Sequence, residues 1–478
     1  MIDVTESIPN IKPEDYPNKE FSYIDISSIN NSTNQIIEPK RINGSEAPSR
    51  ARRPVRNGDV LFSNVRTYLR NIALVTSTVN ADICSTGFTV LRPNESVESQ
   101  FLFRYVLTDE FIDRVSPTQT GTHYPATSDR AVLAEYLPLP PLAEQRRIVA
   151  KLETLLGKVD ACQQRLAKIP VILKRFRQAV LAAACSGELT VDWRAENAND
   201  YILLTHTEID ENAIIELPIG WAAITLNECC TKVIDGNYGA DYPKKDEFLS
   251  SGVPFLTSAA IGEDGKIIDA EIKFISSEKH SILKKARTTL GDVLFTNRGA
   301  RVGATTLLTD SKFANSNIGP QVTRLAANLE RLLPTYLFYW MRNPFFLNVM
   351  KDKNGGSAMN FLNLTVTKSL PIFLPPLAEQ QEIVCRVEAL FQLADQLEAR
   401  YKRAKAQVDK LQQSILAKAF RGELVPTEAE LARREGRAYE SAAALLERLR
   451  QTRKGLTPAT KPKSRPPKSP ASNGLLFD

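Results

Sequence analysis

At 478 residues the chain exceeds what one ordinary core accommodates, so two to four domains are expected. Its composition, 43% hydrophobic, 24% charged and 8% aromatic, is that of a globular protein, and no apolar run nears the roughly 18 residues of a spanning helix. A net charge of +6 fits a nucleic acid partner without requiring one, because many proteins of this size carry as much.

The opening MIDVTESIPN has acidic residues where a signal peptide would be basic, which predicts a cytoplasmic protein outside any membrane. Cys84, Cys162, Cys185, Cys229, Cys230 and Cys385 form no CxxC pair, and His123, His206 and His280 stand apart. Neither a metal site nor a disulfide framework is supported.

Residues 1–137 are expected to form the first of two mixed α/β domains. RNGDVLFSN (56–64) and GFTVLR (87–92) read as strands, Gly58-Asp59 as a turn and FLFRYVLTDEFIDRV (101–115) as helix. Arg50, Arg52, Arg53 and Arg56 precede the turn, and Asn64, Arg66 and Arg70 follow it. Arginine reads guanine with two hydrogen bonds and any basic residue holds phosphate, so these are candidate DNA contacts. For any one of them a solvated basic face is an equally good reading.

LPPLAEQ (139–145) opens a long helix, expected from about 142 to 185 within a segment spanning 138–190. Its prolines end an extended stretch and then suit a helix's first turn, and Glu144 lies near the positive helix end. The same heptapeptide returns at 374–380, and RQAVLAAACSGEL (177–189) matches QQSILAKAFRGEL (412–424) at the same offset of 235, so a block of roughly 50 residues is duplicated. The first copy carries an apolar seam at Ile148, Leu152, Leu155, Val159, Leu166, Leu173 and Phe176. The second carries it at Ile383, Val387, Leu390, Leu397, Val408, Leu411 and Ile415, mostly in steps of four and three. Helices of about 65 Å cannot bury such a stripe alone. Pairing of the two is expected, and equivalence of the copies favours a pseudo-two-fold, hence antiparallel, coiled coil. Pro170, without a counterpart in the second copy, predicts a local kink.

Residues 191–216 read as a polar linker. In 217–372 the first domain's scaffold recurs as TLGDVLFTN (289–297), GPQVTR (319–324) and TYLFYW (335–340), with Gly291-Asp292 as the turn. Basic residues recur as well: Lys284, Lys285 and Arg287 before the turn, then Asn297, Arg298 and Arg301 after it. The second long helix occupies 373–426, with Glu379 in place of Glu144. A further helix is expected over 427–451 and a disordered, Pro- and Lys-rich tail over 452–478.

No Walker A, GxSxG, HExxH or Gly-rich fingerprint is present. NPFF (343–346) is similar to an amino-methyltransferase loop but lacks its second proline, and Glu271-Ile272-Lys273 matches half of a nuclease motif without its acidic partner. A binding and positioning protein is the reading. A coiled-coil adaptor, or a degenerate methyltransferase or nuclease, is the alternative.

LPLPPLAEQRRIVAKLETLL and KIPVILKRFRQAVL in the first half, LPPLAEQQEIVCRVEALF and QSILAKAFRGEL in the second, and AAALLERL near the C-terminus together resemble the specificity subunits of type I DNA restriction-modification systems. The resemblance runs the whole chain, in the order variable domain, conserved helix, variable domain, conserved helix. It implies a chain without catalysis or cofactor of its own, whose two target recognition domains each read half of a bipartite, asymmetric double-stranded DNA sequence. The paired helices would set the spacer between the halves. Two methyltransferase subunits using S-adenosylmethionine and two ATP- and Mg2+-dependent motor/nuclease subunits would complete the complex. One departure is that the second domain opens with LPIGW (217–221) and the first has no such phrase.

Overall fold

The computed structural model describes residues 1–79, 81–121, 123–197, 217–353 and 361–456. The chain divides into two compact units, one formed by Met1–Arg165 with Ala404–Asp478 and the other by Leu166–Arg403. Each division falls inside a long helix. Each unit therefore contains one α/β domain, the helix half that leaves it, and a half of the other long helix.

In the first unit, Thr5–Glu6, Phe88–Pro93, Val60–Ser63 and Ile72–Leu74 lie side by side in an antiparallel sheet. Val60–Ser63 is buried at all four positions, as a central strand of V-L-F-S composition requires. A second sheet orders Lys40–Asn43, Glu20–Ile24, Ile83–Ser85 and Ala51–Pro54, with the middle pair parallel. The second unit repeats the first sheet as Cys230–Asp235, Val322–Ala327, Val293–Thr296 and Thr305–Leu307. It repeats three strands of the other sheet as Lys273–Ile275, Val253–Leu256 and Asn317–Ile318. The mixed α/β duplication expected from the sequence is thus present strand for strand in its central sheet.

The recurring Gly-Asp turn has a buried purpose. Gly58 and Gly291 adopt φ of 90° and 85°, open to glycine and strained for other residues. The aspartate that follows is almost fully enclosed. Asp59 accepts the Arg56 backbone N–H at 2.8 Å and two bonds from the Arg92 guanidinium, both at 2.8 Å. Asp292 accepts from Thr289 N–H at 2.6 Å and from Arg324 at 2.6 and 3.1 Å. Arg92 and Arg324 end GFTVLR and GPQVTR, so two sequence repeats meet in one two-pronged ion pair per domain.

The long helices span Leu142–Ser186 and Leu377–Phe420, the former about 67 Å long at 1.5 Å per residue. Within the first unit, Ile148, Leu152 and Leu156 share a core with Leu416, Ala419 and Phe420, and Gln163 reaches Asp409 at 3.5 Å. Within the second, Val180, Leu181, Ala184 and Cys185 share a core with Ile383, Val384 and Val387, and Arg177 pairs with Asp395 and Glu398. Numbering rises along one helix as it falls along the other, so the pairing in each unit is antiparallel. The first helix continues unbroken through Pro170.

Part of the expected seam needs correction. Ile148, Leu152, Val159, Leu173, Ile383 and Val387 are buried and Leu155, Leu166, Phe176, Leu390, Val408 and Ile415 half-buried, but Leu397 and Leu411 are 43% and 45% exposed. Near its ends each helix packs on an α/β domain as well as on its partner, and Leu156 and Leu416 occupy the deeper places beside Leu155 and Ile415. A straight 3.6-residue helix also drifts off a 3.5-residue seam by about 20° per heptad. The single helix expected over 427–451 is two helices, Glu428–Glu435 and Ala442–Leu456, separated at Gly436 with φ of 64°. Val191–Glu196 is a short helix, while 198–216 and the tail from 457, both assigned from sequence, lie outside the described residues.

LPPLAEQ ties its helix to both neighbours. Gln145, fully buried, accepts from Glu98 N–H at 2.9 Å and donates to the Ser96 and Pro140 carbonyls, both at 2.9 Å. Gln380 accepts from Leu333 N–H and donates to the Arg331 and Pro375 carbonyls, all at 2.8 Å. Each glutamine therefore locks the start of the long helix to the start of a domain helix. Glu144 accepts the Glu428 N–H at 2.6 Å, and Glu379 accepts from Thr190 Oγ1 at 2.7 Å, Arg194 Nη1 at 2.5 Å and Trp221 Nε1 at 2.9 Å. In both copies the carboxylate bonds to the segment just beyond the end of the opposite long helix. The LPIGW tryptophan, present only in the second domain, is part of that joint.

Candidate nucleic-acid interface

The post-turn asparagines face inward. Asn64 Nδ2 donates to Asp129 at 2.9 Å, and the Thr89 hydroxyl bridges Asn64 and Asp129, at 2.7 Å to each. Asn297 Nδ2 donates to Asp235 and to Thr323 Oγ1, both at 2.9 Å, and Thr323 Oγ1 donates to Asp235 at 2.6 Å. Thr89 and Thr323 sit on equivalent strands, whereas Asp129 opens a helix and Asp235 ends a strand. The same Asn-Thr-Asp arrangement is thus completed by acids from unrelated elements. Both asparagines spend their amides inside the domain and position the loops that follow.

The basic residues, placed alike in sequence, divide sharply by partner. In the first domain Arg53 pairs with Asp129, Arg56 with Glu6 at 3.1 Å, Arg70 with Asp109, and Arg52 with Glu14 at 3.9 Å. Burial alone would raise the Asp129 pKa, but the bonds from Arg53, Thr89 and Asn64 outweigh it and hold the carboxyl below its ordinary value. Arg66, at φ 50°, lies 5.2 Å from the exposed Tyr124 ring and donates to the His123 carbonyl, and Arg50 is exposed.

In the second domain the partners are carbonyls and rings. Lys285 lies 4.0 Å over Tyr238 and Arg298 lies 4.0 Å over Phe361. Arg287 donates to the Leu283 and His280 carbonyls at 3.1 and 2.7 Å, and Arg301 to the Ala259 carbonyl at 2.7 Å. Lys284 is exposed. Lys284, Lys285, Arg287 and Arg324 line a cavity of about 740 Å³ together with Lys232, and no carboxylate contributes to its wall. Arg324 is already committed to Asp292, which leaves four cations on the wall without an ion-pair partner among the described residues. Such a surface suits phosphate oxygens, which accept from lysine or arginine over a wide range of geometry. Lys232 was not singled out from the sequence. Its position on the outer face of Cys230–Asp235 follows from strand alternation only once that strand's place at the sheet edge is known.

Little here would support chemistry. Asn343 of NPFF donates to the Trp340 carbonyl at 2.6 Å and accepts from Phe346 N–H at 2.9 Å, so its amide serves its own helix turn. Among the described residues no three His, Cys, Asp or Glu side chains are grouped to hold a metal ion, and no helix is long and apolar enough to cross a membrane.

Two domains with one buried skeleton and unlike charged surfaces, each locked to antiparallel helices by a repeated joint, define a duplicated recognition protein. The type I restriction modification DNA specificity domain matches residues 3–171 and 218–406, and the chain belongs to that family. It is 35% identical over 355 residues to the type I restriction enzyme EcoBI specificity subunit of Escherichia coli, an alignment covering 73% of this chain and 71% of that one. It is similar also to a chain solved in work on complex assembly and conformational transition of the type I R-M system, with a TM-score of 0.69, 31% identity and coverage of 88% and 96%. The crystal structure of the HsdS subunit from Thermoanaerobacter tengcongensis aligns with a TM-score of 0.59, 30% identity and coverage of 88% and 95%.

Proposed function

We propose that this chain is the DNA-recognition subunit of a type I restriction-modification complex, each domain reading one half of a bipartite, asymmetric target. The observation that carries this reading is the contrast between the domains. Asp59–Arg92 and Asp292–Arg324, Asn64–Thr89 and Asn297–Thr323, and Gln145 and Gln380 recur in place, while the surface groups above them have different partners. Scaffolds held alike with unlike surfaces suit two different half-sites, whereas identical surfaces would call for a palindrome. The chain contributes recognition without catalysis. Methyl transfer from S-adenosylmethionine and ATP- and Mg2+-dependent translocation and cleavage belong to partner subunits, two of each, in the cytoplasm, and the paired helices serve as their dock and as the spacer between half-sites.

Replacing residues 1–137 with the corresponding domain of another specificity subunit, and mapping methylated adenines in cells that carry the system, tests the reading. One half of the methylated sequence should change and the other stay. A change in both halves, or in neither, would show that the domains do not read independently.

A further inference from the structure

We infer that the two recognition domains grip DNA unequally: the second carries the salt-sensitive hold on the phosphate backbone, and the first contributes little to it. The inference rests on the DNA-recognition reading above and extends it to the division of labour between domains.

Charge balance is the first observation. Residues 1–137 hold fourteen Lys and Arg against seventeen Asp and Glu, whereas residues 217–372 hold eighteen against fourteen. One domain is therefore net negative and the other net positive. Local pairing is the second and does not follow from the first. Of Arg50, Arg52, Arg53, Arg56, Arg66 and Arg70, four are ion-paired to Glu14, Asp129, Glu6 and Asp109. Among the described residues, Lys232, Lys284, Lys285, Arg287, Arg298 and Arg301 form no ion pair, and the hydrogen-bonding and ring partners of this group are neutral. Shape is the third: Lys232, Lys284, Lys285 and Arg287 converge on a single concave space, so one stretch of backbone can meet several of them at once.

The physics separates the two domains. A cation paired with a carboxylate frees that acid when it turns to a phosphate, and the freed acid takes up a cation of its own, so the net counterion release is small. An unpaired cation releases a counterion at once, and each phosphate neutralised on duplex DNA adds about 0.9 to the slope of log K against log salt. Contacts of this kind carry no base information, so the second domain would hold any duplex while the first adds affinity chiefly where the bases fit.

The test uses the full chain with its methyltransferase subunits and a duplex lacking the target, with affinity followed by fluorescence anisotropy across a range of salt. K232A/K284A/K285A should lower the magnitude of the slope by about two to three. R52A/R56A/R70A, all three at ion-paired positions, should lower it by less than one. K284R/K285R, which keeps charge, should retain the wild-type slope, showing that charge and not folding is being read. Equal losses from the two triple variants, or no loss from the lysine triple, would overturn the inference while leaving DNA recognition standing. Wild-type complex with no salt-dependent DNA binding at all would overturn the functional reading, and the inference with it.

Discussion

At the scale of single residues, the sequence showed which positions recur but not what they touch. Asn64 and Asn297 stand out because each ends a repeated strand, and nothing in the linear pattern says whether an amide there points outward to DNA or inward. It points inward, because Thr89 and Thr323 on the neighbouring strand and an acid from elsewhere enclose it. The acid was illegible: Asp129 and Asp235 occupy unrelated places in their domains and only the fold brings them to equivalent points. The Asp129 network also has a pH signature. A carboxyl held below its unfolded pKa contributes stability that is present above the unfolded value and is lost as pH falls through the folded one. Asp129→Asn should therefore lower the thermal stability of the first domain at neutral pH, and the gap from wild type should narrow as pH falls below about 4. Melting curves followed through a first-domain fluorophore at several pH values check this; a constant gap would remove Asp129 as the titrating group.

At the scale of elements, the heptad stripe located the long helices and their need to pair, because a 45-residue amphipathic helix has no other economical way to cover its apolar face, and the equivalence of the two copies gave the antiparallel sense. Burial along the stripe was less legible. It depends on where the α/β domains press against the helices, and that is decided by residues far away in sequence: Gln145 and Gln380, through their bonds to the domain helices, set where each contact begins. The consequence is uneven energetics along one seam. Leu152, fully buried among Phe101, Leu416 and Phe420, should cost about 2–5 kcal/mol when cut to alanine. Leu397→Gln and Leu411→Gln, at half-exposed positions, should each stay within about 0.5 kcal/mol of wild type. Denaturant titrations of the three variants separate the cases. Comparable losses at all three would mean that the seam is buried throughout in solution.

At the scale of the whole chain, the segment from Ala404 onward belongs with its beginning. Phe420 packs at a tilt against Phe101 and edge-on against Tyr105, at centroid distances of 5.0 Å each, and Leu416, Ala419 and Leu446 add to the same core. Glu144 caps the helix starting at Glu428, and Glu428 is in turn paired with Arg147 and Arg437 at 2.7 Å each, which hold its carboxyl below the ordinary glutamate range. In sequence order the first domain precedes both long helices. The contacts instead make the first domain the last to be finished, since residues beyond 415 must arrive before its apolar floor is covered. A chain ending at residue 403 tests this. It retains all of Leu166–Arg403 but removes Leu416, Ala419, Phe420 and the C-terminal helices from the first unit. Limited trypsin digestion should then cut rapidly within residues 1–137 while fragments from 217–372 persist, and the exposed floor around Phe101 and Tyr105 should bind a hydrophobic dye. Phe420→Ala in the full chain should give the same pattern in milder form, with a loss of about 3–5 kcal/mol confined to the first unit. If residues 1–137 of the shortened chain resist the protease as they do in the full one, the first domain is self-sufficient and the closing role assigned to the C-terminal segment is wrong.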